Sequence, residues 1–296
     1  MTASSHFDAA RPRLGFIGAG RLGLALSRAF ARAGERVEAA WSRSPGSAAA
    51  LAAAAPGCVA LPRAQDVIDR ADLVFLSVPD DAIAAVAASV SWRTNMAAVH
   101  CSGAAELELL DVARRAGAHT GAFHPLQMFG DPDVAAAGLQ RCAVAIEAAQ
   151  PLLGALERLV SVLGATVLRV APGQRAAYHA ALHYAAAFLC VLLAQGESIF
   201  ARIGFDRDAA RQALLALARG ALDAVEQDGP GRAMAGTYSR GDAGTAQRHV
   251  AALRALDPAL LPLYRTLALS SVSLALESGR LDAAQAAALR AVLDAM

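Results

Sequence analysis

The chain has 296 residues, is 56% hydrophobic (AVILMFWYC) and carries a formal net charge of +1. That length suits two domains with a sizeable core, and the near-neutral charge gives no footing for nucleic acid or an acidic surface. No apolar run reads as long enough to span a membrane, and the opening segment 1–13 is polar and short, without the apolar centre of a signal peptide. Cys58, Cys101, Cys142 and Cys190 are scattered without metal-ligand spacing and read as reduced thiols of a cytoplasmic protein. Lysine is absent, so all 27 basic residues are arginine, and chemistry that needs a catalytic lysine is excluded.

Leu14-Gly15-Phe16-Ile17 reads as a buried strand, followed by the turn Gly18-Ala19-Gly20-Arg21-Leu22-Gly23 and an Ala/Leu-rich helix to about Gly34. Gly18 permits the tight turn, Gly20 lets a pyrophosphate approach the backbone, and Gly23 lets the helix lie close to the strand. The helix N-terminus then offers N–H groups to the phosphates. This strand–turn–helix context points to a dinucleotide site; the competing reading is a glycine turn in another α/β unit. The second strand, 36–41, ends in Trp41-Ser42-Arg43-Ser44, where NAD sites usually place Asp or Glu. No carboxylate is there to repel a 2′-phosphate. Arg43 can pair with it, Ser42 and Ser44 can donate to it, and Arg21 can approach from the glycine loop. The expected cofactor is therefore NADP(H), against the alternative that Arg43 is a solvated surface residue.

Short apolar runs alternate with helical stretches up to about residue 170, the pattern of a mostly parallel, doubly wound sheet. A helix is expected over 46–55, a weak strand over 58–61, a helix over 63–70 and a strong strand over 72–77. Ser77-Val78-Pro79 ends that strand, where it should flank the cofactor's pyrophosphate and nicotinamide ribose, and an aspartate after it can cap the next helix. The strand at 97–101 brings Ser102 to the same edge. Its hydroxyl can touch the nicotinamide carboxamide or a substrate, or cap a helix over 104–116, while His100 and Cys101 point into packing. The strand 118–123 runs into His124-Pro125, a histidine placed for proton transfer or, alternatively, for bonding its own loop. Gln127 is a plausible polar contact. Strands over 141–147 and 165–170, with a helix over 150–163 between them, complete the sheet.

Pro172-Gly173 marks a shift to helix: 174–203, 207–228, 244–256, 258–278 and 282–296. The domains are thus expected at 12–171 and 172–296. The first of these helices is apolar nearly all round, so it is expected to be buried between domains and at a homodimer interface. Tyr178, His179, His183 and Tyr184 cluster in it. His179 and His183 share a face, but no third metal ligand accompanies them, and a substrate-facing patch is the better reading. In the loop 236–245, Arg240 can clamp a substrate carboxylate or phosphate, or pair with Asp242.

Together the segments GFIGAGRLG, SVPDDAI, HCSG, HPLQMF, AAYHAA and YSRGDAGTAQRH, from Gly15 to His249, resemble a family of Rossmann-like oxidoreductases with a C-terminal domain of unknown function (DUF2520-type), within the 6-phosphogluconate-dehydrogenase-like group. The resemblance implies an NADP-binding Rossmann domain followed by a helical domain that usually dimerises. Family members commonly carry a Ser-Asn pair where this chain has Ala186-Ala187, which puts the usual activity in question. A more distant similarity is to prephenate and arogenate dehydrogenases, whose catalytic histidine precedes a proline as His124 does, with Ser102 standing where their active-site serine would.

These readings combine into an expected NADP(H)-dependent oxidoreductase that transfers a hydride to or from a small, anionic carbonyl, hydroxyl or imine substrate in an interdomain cleft. Gly18 to Gly23 hold the pyrophosphate, His124 exchanges the proton, Ser102 or His179 orients the reacting group, and Arg240 anchors the anion. The alternative from another class is a non-catalytic NADP(H)-binding sensor or scaffold.

Overall fold

The structure is a computed structural model and describes Phe7 and residues 9–296. Most of the polar opening segment read for the absence of a leader lies outside the described residues. Contacts divide the chain into two compact units, Met1–Leu182 and His183–Met296.

The first unit alternates strand and helix: β1 Leu14–Ile17, α1 Arg21–Arg32, β2 Val37–Trp41, α2 Pro45–Ala54, β3 Val59–Ala60, α3 Ala64–Arg70, β4 Leu73–Leu76, α4 Ile83–Ala88, β5 Ala97–His100, α5 Asp111–Arg115 and β6 His119–Pro125. It continues with α6 Pro132–Gly138, β7 Ala143–Ala148, α7 Leu152–Val162, β8 Thr166–Arg169 and α8 Arg175–Ala185, whose residues from His183 on belong to the second unit. The strands form one sheet in the order β3-β2-β1-β4-β5-β6-β7-β8. All pairs are parallel except β6 with β7. The chain winds outward from β1 in one direction and from β4 in the other, so the loops after β1 and β4 part at the switch point, where doubly wound sheets bind ligands. α6 falls in a stretch that sequence reasoning left without an element; Asp131 caps it by accepting the N–H of Asp133 and of Val134.

Alternation along β1 and β4 builds two cores. Phe16 and Phe75, paired in register, stack at 5.1 Å on one face, with Phe30 of α1 and Phe123 of β6 against Phe75. Ile17, Val74 and Leu76 pack on the other face with Val67, Ile68 and Ile83. Both faces are covered, which is why these strands read as unbroken apolar runs. α1 buries Gly23, Leu26, Ser27 and Phe30, a 3.6-residue stripe, and Gly34 at φ 81° ends it.

The second unit is helical: α9 Ala187–Arg202, α10 Arg207–Asp228, α11 Pro230–Ala233, α12 Ala243–Leu256, α13 Leu261–Glu277 and α14 Ala283–Asp294. Val272, Leu289, Leu293 and small alanines form its core. Asp206, Asp242 and Asp282 cap their helices through the side chain.

Three sequence expectations need correction. The helix expected over 174–203 is interrupted at Ala186, whose backbone (φ −116°, ψ −86°) leaves helical geometry; an alanine-rich pattern carries no mark of such a break. That stretch is not buried all round: α9 buries no residue in the single chain, and Phe188, Val191 and Leu192 are exposed. Apolar periodicity records what must be covered, not whether the same chain covers it. Finally, two helical stretches, Arg175–Arg202 and Pro258–Glu277, are long and apolar enough to cross a membrane by length and composition. The four cysteines are free: Cys101 and Cys142 are buried, Cys58 is half-buried and Cys190, on α9, is exposed.

Candidate active site

Two groups of side chains gather at the carboxyl ends of the strands of the first unit. The first surrounds a cavity of about 480 Å3. Gly18, Ala19 and Gly20 line it from the β1–α1 turn, Ser42 and Arg43 from the end of β2, and Ser77, Val78 and Pro79 from the end of β4. Gly18 has φ +104°, and a Cβ there would lie 2.4 Å from the Ser77 carbonyl oxygen. Ser77 closes the same turn by donating its hydroxyl to the Gly18 carbonyl at 2.7 Å. A Cβ on Gly23 would lie 2.6 Å from the Gly18 carbonyl oxygen, so this glycine sets how closely α1 approaches. A Cβ on Gly20 would meet nothing within 4 Å. Its bare Cα faces the open space that a pyrophosphate needs.

Arg21, Leu22 and Gly23 do not line this cavity. Arg21 is exposed, and Leu22 packs against the core. Ser44 is also outside the lining: its Oγ accepts the Ser47 N–H at 3.3 Å and caps α2, while Ser47 itself lines the cavity.

The second group joins the ends of β5 and β6 to α8. The Tyr178 hydroxyl lies 2.8 Å from Nδ1 of His124. The rings of His124 and His179 meet edge to face at 5.9 Å. Gly103 makes room for both: a Cβ there would lie 2.5 Å from His179 Cδ2 and 2.9 Å from His124 Cε1. Ser102 lies one residue earlier, so Ser102, His124 and His179, read separately in the sequence, come together. Ser102 donates to Asp80 Oδ2 at 2.6 Å, and its Oγ accepts the N–H groups of Ala104 and Ala105. The aspartate expected to cap a helix therefore holds a serine instead; neither the turn Asp80–Ala82 nor α4 has a side-chain cap. Arg240, in contrast, belongs to the second unit, exposed at the end of the turn Tyr238–Arg240. Asp242 is taken up by Thr245, whose N–H and hydroxyl it accepts.

Beneath the cluster sits Arg175, fully buried. It donates Nη2–H to the Ser102 carbonyl at 2.6 Å and Nη1–H to Glu147 Oε2 at 3.5 Å. Glu106 accepts the backbone N–H of Gly173 and of Arg175 at the start of α8. Burial holds His124 down at about 4, with His179 and Arg175 adding to the effect and Asp80 opposing it. Burial also pushes Tyr178 up to about 12. The pair is thus a neutral imidazole bonded to a neutral phenol at neutral pH, able to hand over or take one proton without a standing charge. His100, on β5 below Ser102, is buried with neither ring nitrogen hydrogen-bonded, and burial pushes it down to about 3.

A family model described as a Rossmann-like domain matches residues 1–125. A second, DUF2520, a domain of unknown function, matches residues 142–271. The chain joins a Rossmann-like domain to a DUF2520 domain. No curated protein matches this Rossmann-like DUF2520 chain. Among solved structures it is similar to a Bacteroides fragilis protein classed as an NADP oxidoreductase, with a TM-score of 0.72 and 24% identity over 90% of this chain and 100% of that one. A reductive aminase from Aspergillus terreus in complex with NADPH and ethyl-5-oxohexanoate gives 0.65 and 15% over 95% and 99%. An imine reductase from Myxococcus stipitatus in complex with NADP+ gives 0.62 and 21% over 91% and 94%. At these identities the likeness is one of fold.

Sequence reasoning missed three residues of the Rossmann-like DUF2520 site, Ser47, Asp80 and Arg175, and the partner of a fourth, Tyr178. Ser47 stands in the first turn of α2, where only the fold turns it toward the cavity. Tyr178 was visible beside His179, but its partner lies 54 residues away on β6. Asp80 lay inside a motif already singled out, disguised as a helix cap. For Arg175, next to Pro172-Gly173, no local signal announces burial.

Proposed function

We propose that this protein is an NADP(H)-dependent oxidoreductase acting on a small carbonyl, hydroxyl or imine substrate. The observation that carries the reading is the cavity wall beyond β2, which Ser42, Arg43 and Ser47 line and no carboxylate does. A guanidinium and two hydroxyls suit a 2′-phosphate, which a carboxylate would repel. Neighbours of the same fold solved with NADPH or NADP+ support it.

The backbone N–H groups at the start of α1 hold the pyrophosphate, and Ser77, Val78 and Pro79 form the ribose side. When bound, the cofactor supplies or accepts the hydride. In reduction, the proton shared by His124 and Tyr178 passes to the substrate oxygen or nitrogen and is replaced from solvent. In oxidation the neutral imidazole takes it up. His179 orients the reacting group. The exposed apolar side chains of α9 belong to a homodimer interface, and the reduced cysteines fit the cytoplasm.

Calorimetric titration of the purified protein with NADPH and with NADH tests the proposal. Tight NADPH binding with a clear preference over NADH, followed by turnover in a carbonyl and imine screen, supports it; no dinucleotide binding overturns it. Ala186 and Ala187, which offer no polar side chain at the break between α8 and α9, favour a second reading, a sensor that binds NADP(H) without turnover.

A further inference from the structure

The hydroxyl of Ser102 is fully committed. The residue is 5% exposed. Its single proton goes to Asp80 Oδ2 at 2.6 Å, and its oxygen accepts from Ala104 N at 3.2 Å and Ala105 N at 3.0 Å. A serine hydroxyl has one donor and two acceptor positions, so none is left for a ligand. Asp80 is different. It is exposed, and most of its lone pairs are open. It follows directly on Pro79, which lines the cavity, and its charge is felt at His124.

Carboxylates outnumber the guanidinium around this cluster. His124 and His100 are neutral at neutral pH. Arg175, fully buried, directs its terminal nitrogens to the Ser102 carbonyl and Glu147. Asp80, Glu106 and Glu147 outnumber that one guanidinium. An open carboxylate in a net-negative setting attracts a cation that can donate hydrogen bonds and repels an anion.

We infer that Asp80 anchors a positively charged nitrogen, an amine or iminium group, on the molecule that reacts at His124 and Tyr178, and that Ser102 is a positioning residue acting through it. The inference rests on the reading of this cluster as the active site and names its substrate class. Any anionic group on the same substrate lies away from the reacting end.

The test compares benzylamine with benzyl alcohol, equal in shape and differing in charge, by ligand-detected NMR titration of the full chain with and without saturating NADPH. The amine is expected to bind about tenfold more tightly or better, the ratio of a hydrogen bond to a charged group over a neutral one. Asp80→Asn should erase the preference and Asp80→Glu should keep it. Ser102→Ala should shrink it, and Ser102→Thr should restore it; a merely structural serine would not move the amine-to-alcohol ratio. Equal binding of the two probes, no saturable binding of benzylamine, or a preference that survives Asp80→Asn overturns the inference. So does an Asp80→Asn variant that changes the NADP+ to NADPH affinity ratio and leaves the amine preference intact, because Asp80 would then serve the nicotinamide. Failure to bind NADPH while the amine preference stands sinks the cofactor reading alone.

Discussion

The phenol of Tyr178 and the imidazole of His124 share one hydrogen bond, 2.8 Å between the oxygen and Nδ1, with the rings edge to face at 89°. It ties the first turn of α8 to the end of β6. Removing the imidazole with His124→Ala should lower kcat by about 10²- to 10⁴-fold, the range for a general acid or base. Tyr178→Phe keeps the ring and loses the bond, so a smaller drop is expected. A normal rate in His124→Ala, measured by NADPH consumption with any substrate found, would remove it from the proton-transfer role.

Arg43 is expected to read the 2′-phosphate. Arg43→Ala should weaken NADPH by roughly 10- to 100-fold, the loss of a charge-assisted contact, and leave NADH nearly unchanged. Parallel calorimetric titrations check this, and equal weakening of both would take Arg43 out of phosphate recognition.

The glycines of the turn separate stability from binding. Gly20→Ala meets no protein atom within 4 Å, so its melting temperature should match the parent while NADPH affinity falls. Gly18→Ala combines φ +104° with a Cβ 2.4 Å from the Ser77 carbonyl oxygen. It should cost about 1–3 kcal/mol of stability even without cofactor. A Gly20→Ala protein that melts early, or a Gly18→Ala protein that does not, contradicts this division.

Acid should destabilise the fold through two histidines. His100 and His124 sit at about 3 and about 4 in the folded chain, against 6.5 when unfolded. Between pH 6.5 and 4 the unfolded chain binds protons that the folded chain refuses. Stability is therefore full above pH 6.5 and falls on acidification, by at most about 1.4 kcal/mol per pH unit for each histidine. Urea titrations at pH 7 and pH 5 measure the slope. His100→Leu, which removes a ring with no hydrogen-bond partner, should flatten it and leave stability at pH 7 within about 1 kcal/mol. An unchanged slope would mean that His100 takes up its proton as readily in the folded chain as in the unfolded one.

The Rossmann half was legible because its signals are local. Gly18-x-Gly20-x-x-Gly23 between a strand and a helix carries its own geometry, and the apolar strands announce a sheet covered on both faces. The antiparallel placement of β7 was not legible: a strand reads the same in either direction, and direction is decided by what it pairs with. In the site, Ser102, His124 and His179 stood out by type and by position at element ends. Their partners did not, because Asp80 to Ser102 and Tyr178 to His124 span 22 and 54 residues, and spacing along the chain cannot show that they meet. The misreading of α8 and α9 as one buried helix has a related cause, since hydrophobicity says nothing about which molecule supplies the cover.

The distribution of the thiols gives the protein a built-in labelling point. Cys101 and Cys142 are buried, and burial pushes the Cys58 thiol up to about 11, so little reactive thiolate is present at any of the three near neutrality. Cys190 alone is exposed, on the apolar helix α9. A maleimide fluorophore or nitroxide should therefore attach there without any engineering of the sequence. The speed of that attachment, followed against protein concentration, reports directly whether a second molecule covers α9.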